Sequence, residues 1–277
     1  MTQPAIRRIC IVGGAGFIGS HFADRLLASD ATEKLTVYDN FSSGREWHLA
    51  AHQADPRLTV VKSDVRDLED LVTTMAGHDT VIHLASNPDI ARAMTDPAID
   101  FDQGTLLTHH VAEAARRSGA GLVLYASGSG VYGDLGYAEA AEDHGPLIPV
   151  STYGASKLAG EALFASYSAM FGITARAFRF GNVVGPRQTH GVGFDFIRRL
   201  LDDPRRLRIL GDGRQSKSYI HVDDVVEAVL HVAHLATGPY AVFNVATGDY
   251  VTVTEIAELA MEVVGLPVGM YGEFVGC

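Results

Sequence analysis

Ile9-Cys-Ile-Val-Gly-Gly-Ala-Gly-Phe-Ile-Gly-Ser20 decides how this chain reads. Four apolar residues run into Gly13, Gly16 and Gly19, after which the spacing turns helical, so the stretch predicts strand, tight turn and helix. Each glycine has a physical task there: a turn with positive φ, a point where backbone approaches a pyrophosphate, and close packing of helix on strand. The helix that follows presents unpaired N–H groups and its positive dipole end to the anion. Asp39 stands twenty residues past Gly19, at the end of a second apolar run, Leu35-Thr-Val-Tyr38. A carboxylate at that place meets the ribose hydroxyls of a dinucleotide, which sets this turn apart from a purely structural one. It also repels a 2′-phosphate, and no arginine follows it at once, so NAD is expected rather than NADP.

Outward from this unit the alternation continues. Asn40-Phe-Ser-Ser-Gly-Arg45 is a polar turn beside the adenosine half of the cofactor, carrying Asn40, Ser42 and Gly44. Leu58–Lys62 is a third strand and delivers Asp64 and Val65 to the adenine, with helix capping as the alternative task for Asp64. Thr80–Ala85 is a fourth, in which His83 reads as a packed core histidine. Phe101–Ser118 has helical spacing and ends at Gly119. Gly121–Ala126 is a fifth strand whose carboxyl end opens into Ser127-Gly-Ser-Gly-Val-Tyr-Gly133, the place to seek a catalytic hydroxyl in a parallel sheet. Tyr153 and Lys157 then fall four apart on the next helix, hence on one face. A phenol has an ordinary pKa of about 10, and a neighbouring ammonium favours its ionised form.

Past Ile173–Phe180, a sixth strand, the alternation loosens. Gly181–Gln188 is a loop carrying Asn182 and Arg187; Phe194–Leu201 reads as a helix, Leu207–Leu210 as a strand, and a helix follows a cap at Asp223 or Asp224. Ala241–Val245 returns as a strand and Thr254–Val264 as a helix. The expected fold is α/β: a doubly wound parallel sheet of the Rossmann kind over residues 1–180, with a return segment at about 219–247, and a smaller C-terminal substrate-binding lobe from 181–218 and 248–277.

The totals narrow the function. With 47% hydrophobic residues in 277 the chain can bury a large core. A net charge of −11 opposes a nucleic-acid or anionic-membrane surface. Two cysteines, Cys10 and Cys277, offer neither a disulfide framework nor a cysteine metal site, and no metal is expected. Residues 1–8 lack a signal-peptide core and no apolar run reaches a membrane span, so a cytoplasmic protein is expected.

Taken together, GGAGFIGS, Asp39, Asp64-Val65, HLAS, SGSGVYG, YGASK, FRFGNVVGPRQ and YIHVDD resemble, in order and from about Ile9 to about Gly265, the extended short-chain dehydrogenase/reductase family. Within it the resemblance is to nucleotide-sugar 4-epimerases of the UDP-glucose 4-epimerase type. It implies that NAD is held by Gly13, Gly16, Phe17, Ile18, Gly19, Asp39, Asn40, Ser42, Gly44, Asp64, Val65, Leu84, Ala85, Ser86, Tyr153 and Lys157. It implies Tyr153 as the acid–base and Lys157 as the group that orients the ribose. Asn87, Ser127, Gly128, Ser129, Tyr153, Asn182, Arg187, Gly193, Phe194 and Lys217 are the positions toward a UDP-sugar. Lys217 stands where the family carries an arginine to the diphosphate and lacks its bidentate fork. Gly128 stands where the family carries a catalytic Ser or Thr, leaving Ser127 or Ser129 to supply the hydroxyl. The family also extends past this chain's end, where Gly269–Gly276 matches none of its motifs, so a C-terminal truncation is expected.

The loop before Val131 holds no carboxylate, as related dehydratases and decarboxylases require, so epimerisation of UDP-glucose and UDP-galactose is the expected reaction. UDP-glucuronate or another nucleotide sugar is the alternative, and a catalytically silent NAD-binding sensor or scaffold is the reading from another class. The helices Phe101–Ser118 and Thr152–Phe171 are expected to pair in a homodimer, as across the family.

Overall fold

The computed structural model describes residues 6–87, 90–136, 138–233, 235, 238–267 and 273–275. It divides into two compact units, residues 1–180 with 222–245 and residues 181–221 with 246–277.

In the first unit the elements run β1 (Arg8–Val12), α1 (Phe17–Leu27), β2 (Lys34–Asp39), β3 (Leu58–Lys62), α2 (Leu68–Met75), β4 (Thr80–His83), α3 (Leu107–Ser118), β5 (Leu122–Gly128), α4 (Thr152–Phe171), β6 (Thr174–Phe180), α5 (Val222–Ala233) and β7 (Tyr240–Val245). The seven strands form one parallel sheet in the order β7-β6-β5-β4-β1-β2-β3. The reversal beside β1 is the switch point at which such sheets bind ligands. Its central strands are near-continuous apolar runs because both faces are covered. One face packs Cys10, Val12, Val81, Val123 and Tyr125 against Leu71, Val111, Ala115 and Phe164 from α2, α3 and α4. On the other side α1 and α5 are joined by His21–Asp223, at 3.2 Å, and by Arg25–Glu227.

Several boundaries differ from the sequence reading. Ser127 and Gly128 belong to β5, paired with Arg179 and Phe180, rather than to the loop, which is a single 3-10 turn at Ser129–Tyr132. The helix expected from Phe101 begins at Ala98 and passes through a π-helical stretch, Phe101–Leu106. There Gly104 comes so close to Ser156 of α4 that a Cβ would lie 2.5 Å from its hydroxyl. Asp64 caps no helix: α2 is capped by Asp67, which accepts from the Asp70 amide. Asp223 and Asp224 lie in the first turn of α5, not before it. The return segment starts at Val222, since Tyr219–His221 pairs in parallel with Asn182–Val184 inside the second unit.

The second unit has its own core, Phe196, Leu200, Leu207, Ile209, Ala257, Ala260 and Met261, between helices Val192–Asp202 and Val253–Val263. Thr252 and Glu255 form a reciprocal cap on the second of these helices. Of the residues beyond Pro267 only Glu273–Val275 are described, as a strand beside Arg208–Leu210, so the reading of the tail lies otherwise outside the described residues.

Candidate functional site

The turn after β1 is set by sterics. Gly13 has φ +82°, and a Cβ there would lie 2.6 Å from the Ala85 amide nitrogen. At Gly19 it would lie 2.6 Å from the Gly13 carbonyl oxygen and from the Gly14 Cα, so helix and turn touch through bare backbone. At Gly16 the nearest atom would be 3.4 Å away. Gly16 is the N-cap of α1 and offers no side chain to the free amides, which leaves them for an anion.

Asp39, buried at the end of β2, ties this turn to the next strand. Its Oδ2 accepts from the Ala15 amide at 2.9 Å and its Oδ1 from the Phe41 amide at 2.8 Å. Burial pushes its pKa up from the ordinary carboxylate value, against the pull of the two amides. Each oxygen keeps a second lone pair for a ribose hydroxyl. Gly44 closes on it, since a Cβ there would meet Ala15 at 2.9 Å and Asp39 at 3.0 Å. Asn40 donates to Asp64 at 3.0 Å and accepts from the Ser42 amide. Arg66, paired with Asp64, holds that carboxyl well below its usual range. Val65 is buried and its carbonyl bonds His110. The Leu84 and Ala85 amides both donate to the Val12 carbonyl, which brings the end of β4 and Ser86 beside the glycine turn. The glycine turn, Asp39, Asn40, Asp64 and the end of β4 thus lie in one unit and are joined by these bonds, and their bare glycine backbone, free α1 amides and buried carboxylate suit NAD.

The second cluster lies at the ends of β4, β5 and α4. Ser151 caps α4 by accepting from the Gly154 amide, which fixes the turn carrying Tyr153. Lys157 is 4% exposed, and its Nζ donates to the Ala126 carbonyl at 2.8 Å. The same Nζ lies 5.5 Å from the centroid of the Tyr153 ring, so the sequence pair is a spatial pair. Ser129 is exposed at the first position of the 3-10 turn. Gly128, in extended backbone, would carry a Cβ with no atom within 4 Å. Ser127 differs from the expectation: it is buried, and its hydroxyl donates to Glu161 at 2.6 Å, so it is committed to the interior and does not replace the hydroxyl missing at Gly128.

Three participants were missed by the sequence reading. Glu161 and Arg179 form a buried bidentate pair, at 2.9 and 2.7 Å, and Arg179 also donates to Tyr132. Asp100, 1% exposed, accepts from Asn87 at 2.8 Å and from Thr152 at 2.7 Å, linking the end of β4 to the residue before Tyr153. Asn87 is therefore a strut in this network. The signal for Glu161 was its place four residues past Lys157, one turn further on the same face.

In the second unit Asn182 is anchored by the Ser218 carbonyl, which accepts from both its amide and its side chain, at 3.0 and 3.1 Å. Arg187 has φ +67°, a strained conformation for a side-chain-bearing residue. Gly193 and Phe194 open helix Val192–Asp202, and Lys217 is exposed on a two-residue strand paired with Val251 and Thr252. Among the described residues no group of three or more His, Cys, Asp or Glu could hold a metal ion, and no helix is long and apolar enough to cross a membrane.

The model of the NAD dependent epimerase/dehydratase family matches residues 9–246. A UDP-glucose 4-epimerase of Mycolicibacterium smegmatis is 34% identical over 267 residues, 94% of this chain and 83% of that protein. A crystal structure of a UDP-galactose 4-epimerase has 37% identity and a TM-score of 0.84, covering 98% of this chain and 86% of that one. A Streptomyces venezuelae dTDP-glucose 4,6-dehydratase double mutant, with NAD and DAU bound, has 28% identity and a TM-score of 0.90, covering 97% and 84%.

Proposed function

Because the chain belongs to the NAD dependent epimerase/dehydratase family, we propose that it is a nucleotide-sugar 4-epimerase acting on a UDP-hexose, with glucose and galactose as its epimers. NAD is its cofactor and supplies a hydride acceptor beside the sugar. The chain's own residues do the rest. The turn Gly13–Gly19 with the amides of α1 holds the pyrophosphate, Asp39 the adenosine ribose, and Asp64 with Val65 the adenine. Tyr153 takes the proton of the C4 hydroxyl as the carbon is oxidised and gives it back when the 4-keto sugar is reduced on its other face. Lys157 presents an ammonium to that phenol and orients the nicotinamide ribose. Ser129 hydrogen-bonds O4. Asn87, Asn182, Arg187, Gly193, Phe194 and Lys217 serve the UDP-sugar.

The observation that carries this reading is the buried Lys157 ammonium across the Tyr153 ring, 5.5 Å from its centroid. A catalytically silent sensor gives no reason to keep so costly a charge in the interior. The dehydratase likeness supports a second reading, 4,6-dehydration, which requires acid–base groups for elimination at C5–C6. Gly128-Ser129-Gly130 provides none, so epimerisation is preferred. The test is to incubate the NAD-loaded protein with UDP-glucose, UDP-galactose, UDP-glucuronate, UDP-N-acetylglucosamine and dTDP-glucose and to separate the products. Galactose from glucose supports the proposal; a 4-keto-6-deoxy product establishes the second reading; silence on every sugar returns the protein to the sensor class.

A twofold homodimer through the π-helical segment with α3 and through α4 belongs to the same proposal. Phe101, Met170 and Phe171, all exposed in one chain, support it. A monomer mass by light scattering at micromolar concentration refutes it.

A further inference from the structure

The Lys157 ammonium is buried with no carboxylate paired to it among the described residues. Glu161, one turn along α4, gives its oxygens to Arg179 and Ser127. Besides the Ala126 carbonyl, what faces the ammonium is aromatic: its Nζ is 5.4 Å from the centroid of the Tyr125 ring and 5.5 Å from that of Tyr153. A ring face attracts a cation, more so away from water.

Tyr125 is itself held on every side. His83 stacks on it with centroids 5.4 Å apart, Phe164 lies at 5.1 Å, and its hydroxyl donates to the Lys157 carbonyl at 3.4 Å. Gly160 supplies the remaining space. A Cβ there would lie 2.2 Å from the Tyr125 hydroxyl oxygen and 2.5 Å from Cζ, so α4 has a notch, three residues past Lys157, that the phenol fills.

We propose that Tyr125 is a positioning residue for proton transfer, its ring seating the Lys157 ammonium against the Tyr153 phenol. This rests on the reading of Tyr153 as the acid–base. The surrounding groups do not compete for the charge. Burial pushes the His83 imidazole down to about 3, and burial pushes the Tyr125 and Tyr240 hydroxyls up. Glu161 and Arg179 neutralise each other. A seat of this kind explains why β5 carries a tyrosine and α4 a glycine where a larger residue would strengthen the helix.

The test follows phenolate absorbance against pH in NAD-loaded protein and in protein freed of NAD, taken as the difference from Tyr153→Phe. It therefore reads Tyr153 whichever sugar is the substrate. In Tyr125→Leu the ammonium loses its seat, and the Tyr153 transition should move to higher pH. Tyr125→Phe keeps the ring and should restore the wild-type transition. Gly160→Ala, which displaces Tyr125 without removing it, should move the transition the same way by less, and it decides the matter if Tyr125→Leu does not fold. A folded Tyr125→Leu or Gly160→Ala with the wild-type transition overturns the proposal, as does Tyr125→Phe shifting as far as Tyr125→Leu. If the transitions move as expected while no UDP-sugar turns over, the seat stands and the substrate assignment falls.

Discussion

The turn after β1 and the end of β5 both carry glycine, and a side chain added at each meets different surroundings. At Gly13 and Gly19 a Cβ would collide with backbone at 2.6 Å, and Gly13 also has positive φ. At Gly128 φ is −163° and a Cβ would meet nothing within 4 Å. Gly13 and Gly19 are glycine because the fold has no room for anything else. At Gly128 the backbone and the space would admit any small residue, so packing does not require glycine there, whereas Gly133 at the end of the 3-10 turn has φ +77° and would carry a Cβ 2.0 Å from the Ile148 carbonyl oxygen. Residue type alone does not separate these cases; the atoms across the turn do.

The largest expected effect breaks the first turn. Gly13→Ala forces a methyl into the Ala85 backbone and holds alanine at positive φ, which together cost on the order of 1–3 kcal/mol. The purified variant should release no NAD on denaturation, melt several degrees lower and lack turnover. A variant that keeps both its melting temperature and its NAD would show that the turn relaxes, and the contrast with Gly128 would collapse. Next in size is Tyr153→Phe. It removes one hydroxyl and leaves the glycine turn after β1 intact, so NAD content should be unchanged while turnover falls about 10²–10⁴-fold. Wild-type turnover in Tyr153→Phe, or loss to solvent of deuterium placed at C4 of the sugar, would remove the phenol and hydride return from the mechanism.

How far the sequence carried each region follows from how local its physics is. The β1–turn–α1 unit is legible because its signals lie within twelve residues, and Asp39 is placed by one strand length. The Tyr153–Lys157 pair is legible because helical spacing alone puts them on one face. Ser127 was misjudged because what claims its hydroxyl, Glu161, lies 34 residues on and is itself set by Arg179 from β6. The early start of the helix before α3 was missed for a like reason. Gly104 packs on Ser156 across 52 residues of chain, and the π-helical stretch lies where that contact forms. The second unit was the least legible, its short strands each having two or three residues and no periodicity to read.

A smaller effect sharpens the comparison at the second turn. Ser129 and Gly128 are neighbours, one with an exposed hydroxyl and one with vacant space where a hydroxyl would fit. If Ser129 hydrogen-bonds O4, Ser129→Ala loses one hydrogen bond to a group whose charge develops during reaction, worth about 0.5–1.5 kcal/mol, or about two- to tenfold in turnover. Gly128→Ser should be accepted without strain, since extended backbone suits any residue and glycine inside a strand is the weaker choice. Its melting temperature should stay level or rise slightly, and placed in Ser129→Ala it should recover the lost turnover. Ser127→Ala behaves differently in kind: it removes a donor to the buried Glu161 carboxylate, so its cost should appear in melting temperature before it appears in turnover. If Ser129→Ala is fully active and Gly128→Ser changes nothing, the hydroxyl at O4 comes from neither side of this turn. If Gly128→Ser instead lowers the melting temperature as much as Gly13→Ala does, position 128 is as constrained as position 13, and its glycine needs the same steric explanation.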